Sequence, residues 1–330
     1  MCPVRAGGAH RAAALVVGGA LAGGIETALR IHEYCRQRSN LPEALGDIRH
    51  PGWGRVRTLG CGTFGTVFLA ADLRTGRRAA LKVANDVESD DLWRETGLLV
   101  QAGPHPTLPE LFGRGRHWYA MRLYDESTLR DDDVKCMRPD EVGPYLWRIA
   151  LQLYEVLAFL HDKCIAHCDV RPDNIFVVNR LEHGGANTIV LGDFSNACRI
   201  GQDGAPCGRH ARCLTSEHVA SPECLLHQDC WLEPRHLDCR ACDVWGAAWC
   251  VVGHRLPSPR DGAWGRRMLN GENCWSRLEP LGPLGELIAR KVFVPQARRM
   301  SAAGLAYAVR GMQPPPADAV RGMQPPPADA

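Results

Sequence analysis

His167-Cys168-Asp169-Val170-Arg171-Pro172-Asp173-Asn174 is the stretch from which the rest of the chain is read. Before it, residues 142–160 repeat apolar side chains with helical period. After it, two short apolar runs, 175–178 and 188–191, read as a small hairpin. An Asp and an Asn five residues apart on one loop can face the same cavity, one orienting a nucleophilic hydroxyl and the other coordinating a metal ion. Nineteen residues after Asn174, Asp193-Phe194-Ser195 closes the second apolar run and offers a further metal carboxylate. Hard oxygen ligands of this kind suit Mg²⁺ bridged to substrate phosphates.

Upstream, Gly60-Cys61-Gly62-Thr63-Phe64-Gly65-Thr66-Val67 places glycines where a backbone can approach phosphates without Cβ atoms in the way. The pattern alone is weak, because a dinucleotide-binding turn carries it too. That turn opens a helix, whereas here an alternating strand follows. Residues 56–59 and 66–70 read as a hairpin, and 79–84 as a third short strand. The third strand presents Lys82 toward the α- and β-phosphates. Lysine is scarce, only Lys82, Lys135, Lys163 and Lys291 in the whole chain, so one inside an apolar strand is unlike an ordinary surface lysine. Glu95, 13 residues on in a helix expected at 92–101, can pair with it. The stretch from His105 to Leu111 returns the chain to the sheet, and 118–124 reads as another strand.

Ser221-Pro222-Glu223, Asp243-Val244-Trp245-Gly246 and Arg298 follow in that order. Six ordered motifs resemble the eukaryotic-type protein kinase family over about 55–305. The resemblance implies an α+β, two-lobed fold, a small β-rich N-lobe and a larger helical C-lobe, that uses ATP and Mg²⁺. By the same resemblance Gly60, Gly62, Thr63, Phe64 and Gly65 form the glycine-rich loop. Val67, Ala80, Met121, Leu123 and Phe176 lie around the nucleotide, Met121 as gatekeeper and Arg122 to Tyr124 as hinge. Lys82 and Glu95 form the ion pair, Asp169 is the catalytic base, and Asn174 and Asp193 are the Mg²⁺ ligands. Glu223 is expected to pair with Arg298, and Asp243 to anchor the catalytic loop. Leu99, Leu111, His167 and Phe194 would form the family's stacked hydrophobic column.

Three departures stand out. Cys168 replaces the arginine on which a phosphorylated activation loop usually docks. Ser195 replaces the glycine after Asp193-Phe194. Arg171 stands two residues after the base, where the family has lysine, and keeps the charge. Arg171 and Ser216 resemble the serine/threonine branch, which implies transfer of the γ-phosphate to protein Ser/Thr hydroxyls. The HCDVRPDNIFV and LGDFSNAC stretches, with the Arg/Ala/Gly-rich composition, resemble herpesvirus serine/threonine kinases. A pseudokinase scaffold is the alternative, supported by Cys168 and Ser195. Small-molecule phosphotransferases share the HxDxxxxN loop but lack the later SPE and DVWG stretches.

The 330 residues carry 45% hydrophobic and 23% charged residues, a globular composition, and a net charge of +2 that gives no hint of nucleic acid. The apolar run 12–25 is too short and too glycine-rich for a membrane span. Fifteen cysteines scattered through so large a chain do not suggest a secreted disulfide framework, so an intracellular setting is expected, host cytoplasm or nucleus if viral. Cys239-Arg-Ala-Cys242 has half of a zinc-knuckle spacing, but Cys224 and Cys230 are too far apart for the other half, which favours buried reduced thiols. The expected organisation is an Ala/Gly-rich extension over 1–50, a kinase domain over 51–308 divided near 124, and a disordered tail over 309–330. In that tail VRGMQPPPADA occurs twice in tandem. Asp173 is expected to favour arginine upstream of the acceptor in protein substrates, and Asp125 and Glu126 could extend an acidic rim, whereas Asp131 to Asp133 by themselves read as a solvated loop.

Overall fold

The computed structural model describes residues 52–62, 64–86, 88–124, 128–129, 137, 139–178, 188–207, 219–225, 237–253, 256 and 278–312. The expected extension over 1–50 lies outside them, as do Thr63, the acidic residues 125, 126 and 131–133, Ser216, Cys230 and the tail beyond 312. The chain divides into two compact units. One comprises 1–97 with 109–125, and the other 98–108 with 126–330.

The first unit is a five-stranded antiparallel sheet in the order β1-β2-β3-β5-β4. Its strands are β1 (Trp53–Cys61), β2 (Gly65–Asp72), β3 (Arg78–Ala84), β4 (Leu111–Gly115) and β5 (Trp118–Arg122). Residues directly opposite each other share a face. One row runs Val67, Lys82, Tyr119 and the next runs Leu69, Ala80, Met121, so these side chains project from the same side of the sheet. Helix α1 (Asp91–Ala102) begins on that side, with Leu92 packed among Ala84, Tyr119, Leu111 and Met121. The opposite face buries Ala70, Ala79, Leu81, Val83 and Ala120 beneath Trp53, Phe68, Phe112 and Trp118. Arginines close it from outside, Arg77 stacking on the Phe112 ring at 3.4 Å and Arg55 on Phe68 at 4.6 Å. The strands extend beyond the expected runs, and β4 was not separately expected.

The second unit is mainly helical. Helix α2 (Pro139–Asp162) contains the expected 142–160 and buries Tyr145, Leu146, Ile149, Leu153, Leu157 and Leu160 at helical spacing. Strands β7 (Ile175–Val178) and β8 (Thr188–Leu191) pair as the expected hairpin. Short strands β6 (Ile165–Ala166), β9 (Cys198–Ile200) and β10 (Pro206–Cys207) make a second small sheet. Helix α3 (Cys239–Val252), capped by the Asp238 carboxylate, is buried on nearly every side. A Cβ on its Gly246 would sit 2.6 Å from the Val170 carbonyl, so only glycine lets the 167–174 loop pass this close. Helices α4 (Gly282–Lys291) and α5 (Ala302–Gly311) complete the unit. The tail boundary expected at 309 falls inside α5. Val309 accepts a hydrogen bond from Trp147 Nε1 at 3.1 Å, and Arg310 pairs with Glu155 at 2.6 Å, tying the helix end to α2. Among the described residues no helix is long and apolar enough to cross a membrane.

Candidate active site

In the first unit, alternation on β3 sends Lys82 to the α1 side of the sheet. There its Nζ lies 3.1 Å and 3.0 Å from the two oxygens of Glu95. Both residues are almost wholly buried, at 4% and 1% exposure. Tyr119, opposite Lys82 on β5, donates its hydroxyl to Glu95 Oε1 at 2.9 Å. A buried charge pair costs less when its remaining lone pairs are satisfied, and Tyr119 does this for Glu95. The turn between β1 and β2 carries Gly60, Gly62, Phe64 and Gly65, and closes on itself through Gly62 N–H to the Gly65 carbonyl at 2.8 Å. A Cβ on Gly65 would meet the Val83 carbonyl at 2.6 Å. Asn85, just past the end of β3, pins the turn, donating Nδ2 to the Gly62 carbonyl at 2.8 Å and accepting Thr66 Oγ1 at 3.0 Å. Val67 and Ala80 are buried, and Met121 and Leu123 are half-buried.

In the second unit, the 167–174 loop hangs on Asp243 of α3. Its Oδ2 accepts the His167 N–H at 2.8 Å and its Oδ1 the Cys168 N–H at 2.7 Å, while His161 Nε2 donates to Oδ2 at 3.0 Å. His167 accepts the Asp169 N–H at Nδ1 (3.3 Å) and donates from Nε2 to the Gly192 carbonyl (3.0 Å), two partners that assign its tautomer. Its ring meets Phe194 edge-on at 4.8 Å, so two of the four residues of the expected column are in contact. Leu99 is buried in this unit, and Leu111 belongs to the β-rich one.

Asp169 is 2% exposed. Its Oδ2 accepts Asn174 Nδ2 at 3.1 Å and Asn196 Nδ2 at 3.3 Å, and Asn174 Nδ2 also reaches the Asp169 carbonyl at 2.9 Å. With its nitrogen so committed, Asn174 has its hard amide oxygen left for a cation. Asp193 stands in left-handed backbone, φ 57, with Oδ1 accepting the Ser195 N–H at 3.4 Å. An amide oxygen and a carboxylate are the donor types that Mg²⁺ takes, so these residues fit the ion. Burial opposes the charge of Arg171. Its hydrogen bond to Asp173 and the nearby Asp169 and Asp193 carboxylates more than compensate, holding the guanidinium above its ordinary value. Arg171 Nε donates to Asp173 Oδ2 at 3.2 Å, and an Nη contact to the same oxygen is closer still. Asp173, expected to meet a basic residue of the substrate, therefore already has an internal cation. Phe176 on β7 is half-buried and bridges to Thr128.

The Glu223 partner is Arg299 and not Arg298. The short 3-10 turn Gln296–Arg298 leaves Arg298 at the surface and turns the next residue inward. Arg299 Nη2 lies 3.0 Å and 3.2 Å from the Glu223 oxygens. Its Nε, Nη1 and Nη2 donate to the Val292, Ala241 and Val294 carbonyls, each at 2.9 Å. A one-residue slip of this kind is invisible to motif spacing.

The Cys168 side chain enters an apolar cluster with Ala166, Cys198, Ile200, Ala220, Cys224, Leu237, Cys239 and Cys242. Hydrogen bonds with the Cys168 thiol and then the Cys239 thiol draw the Cys198 thiol down to about 5. Among the described residues no cysteine is in a disulfide.

Tyr119, Asn85, Asn196 and Arg299 were not singled out from sequence. Only Tyr119 had a usable signal, since pairing β3 with β5 in register puts it opposite Lys82.

Residues 53–254, well over half of the chain, match the family model described as protein kinase domain. Similar proteins include serine/threonine-protein kinase Doa of Drosophila melanogaster, 27% identical over an alignment of 241 residues that covers 63% of this chain and 26% of that protein. Dual specificity protein kinase CLK2 of Homo sapiens is 27% identical over 236 residues, covering 63% of this chain and 44% of its own length. Putative CBL-interacting protein kinase 27 of Oryza sativa subsp. japonica is 31% identical over 180 residues, 51% of this chain and 42% of that protein. The chain thus spans less than half the length of each of these relatives.

Proposed function

The chain belongs to the protein kinase domain family, and from that premise we propose that it is an active serine/threonine kinase. It would transfer the γ-phosphate of ATP to protein hydroxyls. The family generally works with ATP and Mg²⁺. The observation that carries the proposal is the Asp169 carboxylate, 2% exposed, held by Asn174 and Asn196 on a loop fixed to Asp243. Asp169 orients the acceptor hydroxyl and takes up its proton as the oxygen attacks. Asn174 and Asp193 would hold Mg²⁺, which when bound neutralises charge on the phosphates. Lys82, kept in place by Glu95, contributes the fixed positive charge of the β-rich unit. Arg171 keeps a positive charge beside Asp169.

The scaffold alternative rests on Cys168 and Ser195. Neither replaces a group that performs chemistry, and the backbone N–H groups of both are bonded to aspartates, Asp243 and Asp193. Serine/threonine selectivity is supported by Arg171. A viral origin, with a setting in host cytoplasm or nucleus, is part of the same proposal and is supported by the HCDVRPDNIFV and LGDFSNAC stretches.

Asp169→Asn tests it. Phosphate incorporation into a mixed Ser/Thr/Tyr peptide array falls by roughly 10²–10⁴-fold while ATP affinity stays within a few fold. Equal incorporation by wild type and variant refutes the enzyme and leaves the scaffold. Incorporation confined to tyrosine refutes the selectivity.

A further inference from the structure

Three thiols from distant parts of the chain meet in the helical unit. Cys168 comes from the 167–174 loop, Cys198 opens β9, and Cys239 is the first residue of α3. Their sulfur atoms all lie within 4.8 Å of one another, Cys168 and Cys198 at 3.5 Å, and all three residues are buried. Cys168 adopts left-handed backbone, φ 60, a conformation that L side chains rarely take. Cys239 occupies the N-terminus of a 14-residue helix, where the positive end of the dipole favours a thiolate. Ala166, Ile200, Ala220 and Leu237 surround the sulfurs and keep the surroundings apolar.

We propose that Cys168, Cys198 and Cys239 bind one thiophilic d¹⁰ cation, Zn²⁺ or its congener Cd²⁺. The ion would staple the catalytic loop to the strand that follows Asp193 and to the helix that bears Asp243. Zinc–sulfur bonds of about 2.3 Å hold sulfurs about 3.8–4.0 Å apart, so the cluster needs a shift of under about 1 Å to enclose the ion. Soft thiolates in an apolar shell select such a metal over Mg²⁺ or Ca²⁺. Binding is a proton exchange without redox change, three S–H protons leaving for solvent as three S–Zn bonds form. The set differs from the Cys224/Cys230/Cys239/Cys242 spacing considered from sequence, because Cys224 and Cys242 face each other at 2.9 Å in a neighbouring pair. The inference stands on the thiols and does not depend on the kinase proposal.

The test uses the full chain, reduced and stripped with chelator, then given ZnCl₂ alone. At one equivalent, zinc-edge X-ray absorption finds three sulfurs at about 2.3 Å, and the ion raises the unfolding midpoint. Cys198→Ala loses one whole equivalent and binds at least about a hundredfold more weakly, with no midpoint shift, whereas Cys224→Ala keeps both. Should Cys198→Ala not fold, the absorption spectrum and midpoint shift of the wild type decide on their own. A shell of oxygen and nitrogen, equal uptake by wild type and Cys198→Ala, or loss of the equivalent in Cys224→Ala overturns the proposal.

Discussion

Replacing Arg299 by alanine should be among the most damaging single changes in the helical unit, and replacing Arg298 among the mildest. The Arg299 side chain is 1% exposed, and its Glu223 partner 15%. The substitution removes the ion pair and the Arg299 hydrogen bonds to the Val292, Ala241 and Val294 carbonyls, and strips the Trp245 ring of a cation 5.0 Å from its centre. Breaking a buried pair from one side costs about 3–5 kcal/mol, because the charge left behind is poorly solvated. Glu223 keeps one partner, the Gln296 N–H at 2.9 Å, which holds the loss within that range. For a domain of this size each kcal/mol lowers the melting temperature by about 2–4 °C, so a fall of about 6–20 °C follows. Arg298→Ala, at the surface, stays within about 0.5 kcal/mol of wild type. Thermal melts and urea titrations of both variants give the comparison. If Arg298→Ala is as destabilising as Arg299→Ala, or if Arg299→Ala is near neutral, the pairing described here is wrong.

Tyr119→Phe removes the 2.9 Å bond to Glu95 and should cost about 1.5–3 kcal/mol in urea unfolding, since hydrogen bonds to buried charges fall in that range. A neutral result would mean that Glu95 is satisfied without it. Kinase activity should survive phosphatase treatment, because the residue expected to dock an activation-loop phosphate is Cys168, buried among thiols and aliphatic groups. Activity lost on dephosphorylation and restored by an upstream kinase would show another basic residue in that role. With Arg171 already on its carboxylate, Asp173→Ala should change the ratio of rates for Arg-containing and Arg-free peptides by less than about fivefold, the ceiling for an exposed pair. A larger change would mean that the Arg171–Asp173 pair opens to admit substrate arginine.

Much of this was legible because chemistry constrains residue type and order together. A glycine-rich turn followed by alternating residues, and a lysine inside an apolar strand in a chain with four lysines, admit few folds. The β7–β8 hairpin was readable to the residue, since its apolar runs are sharply bounded. What failed was whatever depends on a local turn or on distant packing. Arg299 displaces Arg298 because one 3-10 turn shifts the inward direction by a residue. Tyr119 needed the β3–β5 register, and Asn196 a 3-10 turn after Asp193 that carries it to Asp169. The tail boundary was misplaced because Val309 and Arg310 belong both to a sequence repeat and to a helix held against α2. Cys239 and Cys242 looked like partners by spacing, yet their thiols turn to different neighbours, a difference decided by tertiary packing.

The cysteine at 168 separates two properties that an arginine there would join. Asp243 holds the catalytic loop through backbone N–H groups, 2.8 Å at His167 and 2.7 Å at Cys168, so the anchoring is blind to the side chain at 168. Asp169 is then held through its own carboxylate by Asn174 and Asn196. Exchanging arginine for cysteine therefore removes a phosphate-docking cation while leaving the geometry around Asp169 intact. The thiol turns the other way, into the sulfur cluster with Cys198 and Cys239, and ties the same loop to β9 and α3. The buried Lys82–Glu95 pair is kept by stability in either case, since one charge alone is costly, so the Asp169 network is what bears on catalysis. A missing docking cation beside a persistent Asp169 network supports the proposed enzyme, relieved of one mode of control, over the scaffold.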